Sequence, residues 1–147
     1  MNFRELDRQV LVADAPMRPR DMADAAARGV TLAINNRPDG EAIDQVDAAA
    51  LGAAAKEAGL AYLHLPVETE FTSEKVAALT EALADAQGQV LVFCKTGTRS
   101  TYLWALARAG EGAVPEALVR NAARAGYNLR PIQAWLKPRE DGTPPAS

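Results

Sequence analysis

The chain has 147 residues, of which 48% are hydrophobic and 24% charged, and its formal net charge is −3. This size suits a single domain with a buried core, while the acidic balance gives no support for nucleic-acid binding and the single cysteine excludes an internal disulfide. With no signal-peptide core, no run near the ~18 apolar residues of a membrane span and no metal-binding cluster, we expect a cytoplasmic protein without membrane partner, metal or cofactor.

Strand-like and helical segments alternate along the chain. Apolar runs rich in β-branched residues predict strands at residues 9–13, 30–35, 61–67 and 89–93. Helical patterns are predicted at residues 19–28, 41–58, 99–109, 115–124 and 131–136, with a further helix after Thr72. This alternation predicts an α/β fold with a mainly parallel sheet of four or five strands flanked by helices.

The helix after Thr72 has the clearest start. Thr72 is a good N-cap residue, and Phe71 and Val76 have the spacing of a hydrophobic staple. We expect residues 1–136 to form one domain. Residues 137–147 contain three prolines and no apolar periodicity, which predicts a disordered tail.

Residues 90–100 carry the strongest chemical signal. Cys94 ends a predicted strand, and Arg99 opens a predicted helix five positions later. Backbone N–H groups of such a loop, together with the helix N-terminus, bind anions and make a thiol ionise more readily. Arg99 can hold an oxyanion through two parallel hydrogen bonds. We interpret both as catalytic residues; a cysteine merely buried at a strand end leaves the surrounding cationic and hydroxyl residues unexplained.

Further residues are candidate substrate-binding groups: Lys95, Thr96, Gly97, Thr98, Ser100 and Arg37. Lys95 can raise the positive potential over the thiol or be a solvated loop lysine. Gly97 is expected to permit a close backbone approach. Ser100 is expected to hydrogen-bond the thiolate, and Arg37 either binds the substrate anion or braces the loop.

Three carboxylates are candidates for acid–base chemistry. Asp39, Glu68 and Glu70 follow predicted strands at the edge where parallel α/β sheets bind ligands. Asp39 also lies in a Pro-Asp-Gly sequence that is common turn chemistry. His64, the single histidine, is expected to have a structural role.

Three segments together resemble a bacterial family. They are INNRPDGE at residues 34–41, HLPV at residues 64–67, and CKTGTRS at residues 94–100 followed by LWAL at residues 103–106. They are similar to the DUF442 family, which is described both as the phosphatase-like domain of β-lactamase-hydrolase-like proteins and as a sulfur-transferase family. The resemblance covers residues 3–136 and implies the fold of tyrosine and dual-specificity cysteine phosphatases.

The cysteine loop departs from that of the phosphatases. Their arginine lies six positions after the cysteine, usually with a histidine just before the cysteine. Here Arg99 lies five positions after Cys94, and Phe93 precedes it. The resulting Cys-x-x-Gly-x-Arg spacing is similar to that of rhodanese sulfurtransferases.

These observations leave three functional hypotheses. The first is a sulfurtransferase in which Cys94 takes sulfane sulfur from a donor such as thiosulfate or a persulfide. The resulting Cys94 persulfide passes the sulfur to cyanide or to a small thiol such as glutathione. The second is hydrolysis of a phosphomonoester through a phosphocysteine, which needs a general acid. The third is a non-catalytic module that binds a small anion or a phosphopeptide. The short loop and the lack of an obvious acid favour the first.

Overall fold

The computed structural model describes residues 1–136; the tail predicted for residues 137–147 lies outside the described part. It has a single sheet of five strands: β1 (Phe3–Glu5), β2 (Val10–Ala13), β3 (Val30–Asn35), β4 (Ala61–His64) and β5 (Gln89–Phe93). The strand order is β1-β2-β5-β3-β4, and only β1 pairs with its neighbour in antiparallel fashion. The predicted mixed α/β architecture is therefore confirmed.

Helices flank this sheet. They are α1 (Asp21–Ala27), α2 (Ala48–Glu57), α3 (Ser73–Asp85), α4 (Thr98–Gly110) and α5 (Pro115–Arg124), followed by a 3-10 helix (Arg130–Leu136). In the described part of the chain, no helix is both long enough and apolar enough to span a bilayer.

The central strands are buried on both faces because their alternate side chains enter two separate cores. Val90 and Val92 of β5 face α3, α4 and α5, where Leu103 and Trp104 are fully buried. The intervening Leu91 faces α1 and α2 in the second core. The continuous apolar run that precedes Cys94 is thus expected for a strand of a parallel sheet that is buried on both faces.

Several predicted boundaries differ from the structure. Strand β1 was not predicted. Strand β4 ends at His64 rather than at residue 67, because the ladder becomes irregular there: Leu65 and Val67 donate to the consecutive carbonyls of Asn35 and Asn36, each at 2.8 Å, whereas a regular ladder uses alternate carbonyls. The segment predicted as helix 131–136 is a 3-10 helix.

The largest difference is at α2, which begins at Ala48 instead of residue 41. Residues 36–47 form a loop because their own side chains satisfy its backbone. The Gln45 side chain accepts from the N–H groups of Glu41 and Ala42 and donates to the Pro38 carbonyl. Such local bonds compete with the helical hydrogen-bond pattern.

Candidate active site

The cysteine loop lies at the edge where the parallel strands end. Cys94 follows β5, Asn36 follows β3, and the segment to Val67 follows β4, so all three segments meet there. Asn36 is fully buried and joins them. Its backbone N–H donates to the Phe93 carbonyl at 2.7 Å, and its side-chain amide donates to the Leu65 carbonyl at 2.9 Å.

The Cys94 thiol lies at the bottom of this junction and is 2% exposed. The Gly97 N–H donates to its Sγ at 3.2 Å, and α4 begins at the next residue. Gly97 has φ +93°, a conformation that side chains rarely adopt. A Cβ here would also lie 2.7 Å from the Ala13 carbonyl oxygen and would overlap the Tyr127 hydroxyl. The predicted need for glycine therefore has both a conformational and a steric cause.

Arg99 is held between a carboxylate and the thiol. Its two terminal nitrogens donate to both oxygens of Glu41, at 2.7 and 2.9 Å, and Nη1 also donates to the Val67 carbonyl at 2.9 Å. The Glu41 hydrogen bonds raise the pKa of Arg99, and the charge of Cys94 acts in the same direction. Within the described residues, these bonds engage every N–H group of the Arg99 guanidinium except the Nε–H and one Nη2–H.

Arg37 shares the same carboxylate. Its Nε donates to Glu41 Oε1 at 3.1 Å, and its side chain is 10% exposed. Hydrogen bonds from Arg99 and then from Arg37 hold the pKa of Glu41 below its usual value. Of the two roles considered for Arg37, this geometry favours bracing. Glu41 itself was missed as a site residue, because Arg37 and Glu41 lie in a loop, where a spacing of four residues carries no helical signal.

Ser100 differs from its expected role. Its Oγ is buried and donates to Asn36 Oδ1 at 2.7 Å, so its proton is directed away from the expected bond to sulfur. The hydroxyls of Thr96 and Thr98 pair with each other at 3.1 Å. Lys95 is exposed at the rim of the loop.

The three candidate carboxylates occupy different environments. Asp39 Oδ1 accepts from the Ala48 N–H at 2.7 Å at the start of α2, which favours the structural role for this residue. Glu68 and Glu70 are exposed and lie one and three residues after Val67, the residue whose carbonyl accepts from Arg99. Across residues 1–136, no group of three or more His, Cys, Asp or Glu side chains is placed to hold a metal ion.

Two other side chains complete the surroundings. His64 Nε2 lies 2.9 Å from the Arg37 carbonyl oxygen, in keeping with the structural role expected for it. Tyr127, which the sequence analysis did not single out, donates from its hydroxyl to the Thr96 carbonyl at 2.7 Å. Burial raises the pKa of Tyr127 to about 12, and the charges of Asp14 and Cys94 act in the same direction.

The fold and this loop define the class of protein. A five-stranded sheet carries a cysteine loop between a central strand and a helix, with an arginine at the helix start, and this is the cysteine phosphatase-like fold. Residues 2–111 match the family described as "Beta-lactamase hydrolase-like protein, phosphatase-like domain". The chain belongs to this family, which confirms the resemblance drawn from its motifs.

Relatives and solved structures agree with this assignment. A β-lactamase hydrolase-like protein of Xylella fastidiosa strain Temecula1 is 35% identical over 149 aligned residues, which cover 100% of this chain and 34% of that protein. The chain thus spans about a third of that relative's length. A "putative phosphatase" of Neisseria meningitidis Z2491 has a TM-score of 0.81 at 29% identity, covering 95% of this chain and 97% of its own.

A more distant structure shares the fold. It is a TpbA variant of P. aeruginosa in complex with pTyr. Its TM-score is 0.64 at 17% identity, and the alignment covers 95% of this chain and 85% of that one.

Proposed function

We propose that the chain is a cysteine-dependent phosphatase that hydrolyses a phosphomonoester, the reaction that the sequence analysis ranked second. One contact carries this proposal. Arg99 donates to the Val67 carbonyl, and Glu68 is the next residue. The arginine proposed to bind the anion is therefore hydrogen-bonded to the loop that carries two exposed carboxylates, Glu68 and Glu70. A thiol nucleophile, an anion site and a proton donor are the groups that this reaction needs. The family's phosphatase-like description and the fold of its structural neighbours support the same choice.

In the first step, the Cys94 thiolate attacks phosphorus. A sulfur–phosphorus bond forms while the bond to the ester oxygen breaks, and that oxygen leaves with the electron pair. Glu68 or Glu70, as the carboxylic acid, supplies the proton that makes it an alcohol. The loop N–H groups and the free edge of Arg99 hold the phosphoryl oxygens.

In the second step, water attacks the phosphocysteine. The same carboxylate takes a proton from the water, the sulfur–phosphorus bond breaks, and inorganic phosphate and the Cys94 thiolate are released. The thiolate leaves easily because the Gly97 N–H and the α4 N-terminus stabilise its charge.

Leaving-group dependence tests the acid. We expect Glu68→Gln or Glu70→Gln to lower kcat on an alkyl phosphate by about 10²–10⁴-fold, the usual contribution of a general acid. The same variant should lose far less activity on p-nitrophenyl phosphate, whose leaving group needs little protonation. Glu74→Gln, an equal charge change at the exposed start of α3, is the control. Equal losses on both substrates, or no hydrolysis by the wild type, would contradict the proposal.

Sulfur transfer is a second candidate because the Cys94 loop has the shorter Cys-x-x-Gly-x-Arg spacing. In that reaction the thiolate attacks the outer sulfur of thiosulfate, a new sulfur–sulfur bond forms, and sulfite leaves with the electron pair of the old one. A small thiolate such as that of glutathione, or cyanide, then takes the sulfur from the Cys94 persulfide. Neither step needs Glu68 or Glu70, so their Gln variants would retain this activity.

A further inference from the structure

The peptide group between Thr96 and Gly97 is held from both sides. Its N–H belongs to Gly97 and donates to Cys94 Sγ at 3.2 Å. Its carbonyl belongs to Thr96 and accepts from the Tyr127 hydroxyl at 2.7 Å. Because the C=O and N–H of a trans peptide point in opposite directions, Tyr127 and the thiol form hydrogen bonds on opposite sides of one planar peptide group.

This peptide is the part of the loop with least intrinsic stiffness. Glycine adopts positive and negative φ with similar ease, so rotation of the peptide that precedes Gly97 meets little steric resistance from the chain itself. A rotated peptide would turn the Thr96 carbonyl oxygen toward the sulfur. That oxygen would repel both the thiolate and the anion bound above it.

The next peptide along the loop is fixed differently. The Gly97 carbonyl accepts from the backbone N–H of Thr101 at 2.9 Å and from its hydroxyl at 2.8 Å, both within α4. The Thr96 carbonyl instead takes its bond from Tyr127, 31 positions away and beyond the end of α5. One side chain from a separate element therefore orients the peptide that contacts the nucleophile.

We propose that Tyr127 is a positioning residue, which keeps the Gly97 N–H directed at the Cys94 sulfur by holding the Thr96 carbonyl on the opposite side. This role rests on the thiolate chemistry proposed above and holds whether the group transferred is phosphoryl or sulfur. Because the pKa of Tyr127 is about 12, its hydroxyl remains a donor throughout the neutral range. The charged groups that influence it are Asp14, Cys94 and Arg4.

Tyr127→Phe removes the donor and keeps the ring. We expect the amide resonance of Gly97 to move upfield as its bond to sulfur weakens, and the alkylation of Cys94 by iodoacetamide at mildly acidic pH to slow relative to alkaline pH. If the wild type turns over p-nitrophenyl phosphate, kcat should fall by about tenfold. This loss is smaller than the ~10²–10³-fold that follows removal of a transition-state donor, because the Gly97 N–H is still present and only its orientation is loosened. Tyr102→Phe, which removes a hydroxyl from a ring packed on Phe71, should change none of these values.

The readouts separate the two proposals. If the wild type hydrolyses no phosphoester, the proposed function fails, while the Gly97 resonance and the alkylation ratio still decide the role of Tyr127. The resonance belongs to the folded protein, so a lower unfolding temperature of the variant does not obscure it. An unmoved Gly97 resonance with an unchanged alkylation ratio in Tyr127→Phe would overturn the assignment.

Discussion

At the scale of single residues, Glu41 orients the guanidinium of Arg99. One carboxylate accepts from Arg99 through both oxygens and from Arg37 through one of them. Ion pairs this close to solvent contribute little to stability, so the main effect of Glu41 is to fix the orientation of the Arg99 guanidinium. It engages Nη1 and one N–H of Nη2 of Arg99, and in the proposed reaction the Nε–H and the second Nη2–H bind the substrate anion.

Glu41→Gln tests this directional role. The amide keeps the shape of the side chain but loses the charge and one acceptor, so the guanidinium becomes free to rotate. We expect kcat/KM for the proposed phosphoester reaction to fall by about tenfold with little change in unfolding temperature. Glu57→Gln at the exposed end of α2 provides the comparison. Wild-type kinetics in Glu41→Gln would show that Arg99 needs no such partner.

The sequence predicted that Cys94 and Arg99 lie in one strand-to-helix loop, but it did not indicate the residues that contact them. Cys94 and Arg99 share one short loop, and residue chemistry at close spacing is readable from a sequence. Their supports come from far along the chain, since Arg99 meets Glu41 at a separation of 58 residues and Ser100 meets Asn36 at 64. Residues so far apart in the sequence show no regular spacing from which their contact could be predicted. Only the sheet order brings those residues together.

At the scale of elements, helix starts were predictable where the capping residue had no competing partner. Thr72 accepts from the Lys75 N–H at 3.3 Å, as its position before α3 predicted. The start of α2 was predicted wrongly. Residues 41–47 contain no glycine or proline that would end a helix, but polar side chains there hydrogen-bond the backbone and hold it as a loop. Asp47 caps Ala50 at 2.8 Å, and Asp39 reaches forward to Ala48.

Two substitutions at Asp39 distinguish a cap from an acid. Asn keeps the Oδ1 acceptor for the Ala48 N–H, so we expect Asp39→Asn to retain both stability and activity. Asp39→Ala loses the acceptor and should lower the free energy of unfolding by about 1 kcal/mol, as for other lost caps. Urea unfolding and steady-state kinetics measure both quantities. A large loss of kcat in Asp39→Asn would instead identify Asp39 as the acid.

At the scale of the whole molecule, Asp7 connects the first hairpin to α4 behind the active site. Its Oδ2 accepts from Trp104 Nε1 at 2.7 Å and from Arg108 Nε at 2.9 Å, and its Oδ1 accepts from two backbone N–H groups at 2.8 Å. Burial alone would raise the pKa of Asp7, but the bonds from Trp104 and Arg108 outweigh it and hold that pKa below its usual value.

Because its pKa is lowered by folding, Asp7 makes the fold more stable as the pH rises through the acid range. Folded Asp7 binds its proton less tightly than unfolded Asp7, so the unfolded chain takes up more protons as the pH falls. Its contribution to stability is complete above about pH 4, the unfolded pKa, and is lost as the pH falls through the lower folded pKa. Glu41 acts with the same sign.

Asp7→Asn should therefore lower stability at neutral pH and flatten the acid slope of the unfolding free energy. The loss at neutral pH should be about 1–3 kcal/mol, because Arg108 loses its charged partner. Asp24→Asn on the exposed face of α1 should leave the slope unchanged. Urea unfolding across the acid range is the measurement, and parallel curves for wild type and Asp7→Asn would contradict the assignment.

We propose above that Cys94 carries a phosphoryl group during turnover. The most direct measurement is intact mass of the full chain after rapid acid quench from a phosphomonoester, with thiosulfate in a parallel sample and Cys94→Ser in both. We expect a gain of one phosphoryl group on the wild type with phosphomonoester, no such gain on Cys94→Ser, and no added sulfur with thiosulfate, as the phosphatase proposal requires. A gain of one sulfur atom from thiosulfate, with no phosphoryl adduct and no phosphate release from the ester, would contradict it and identify a sulfurtransferase.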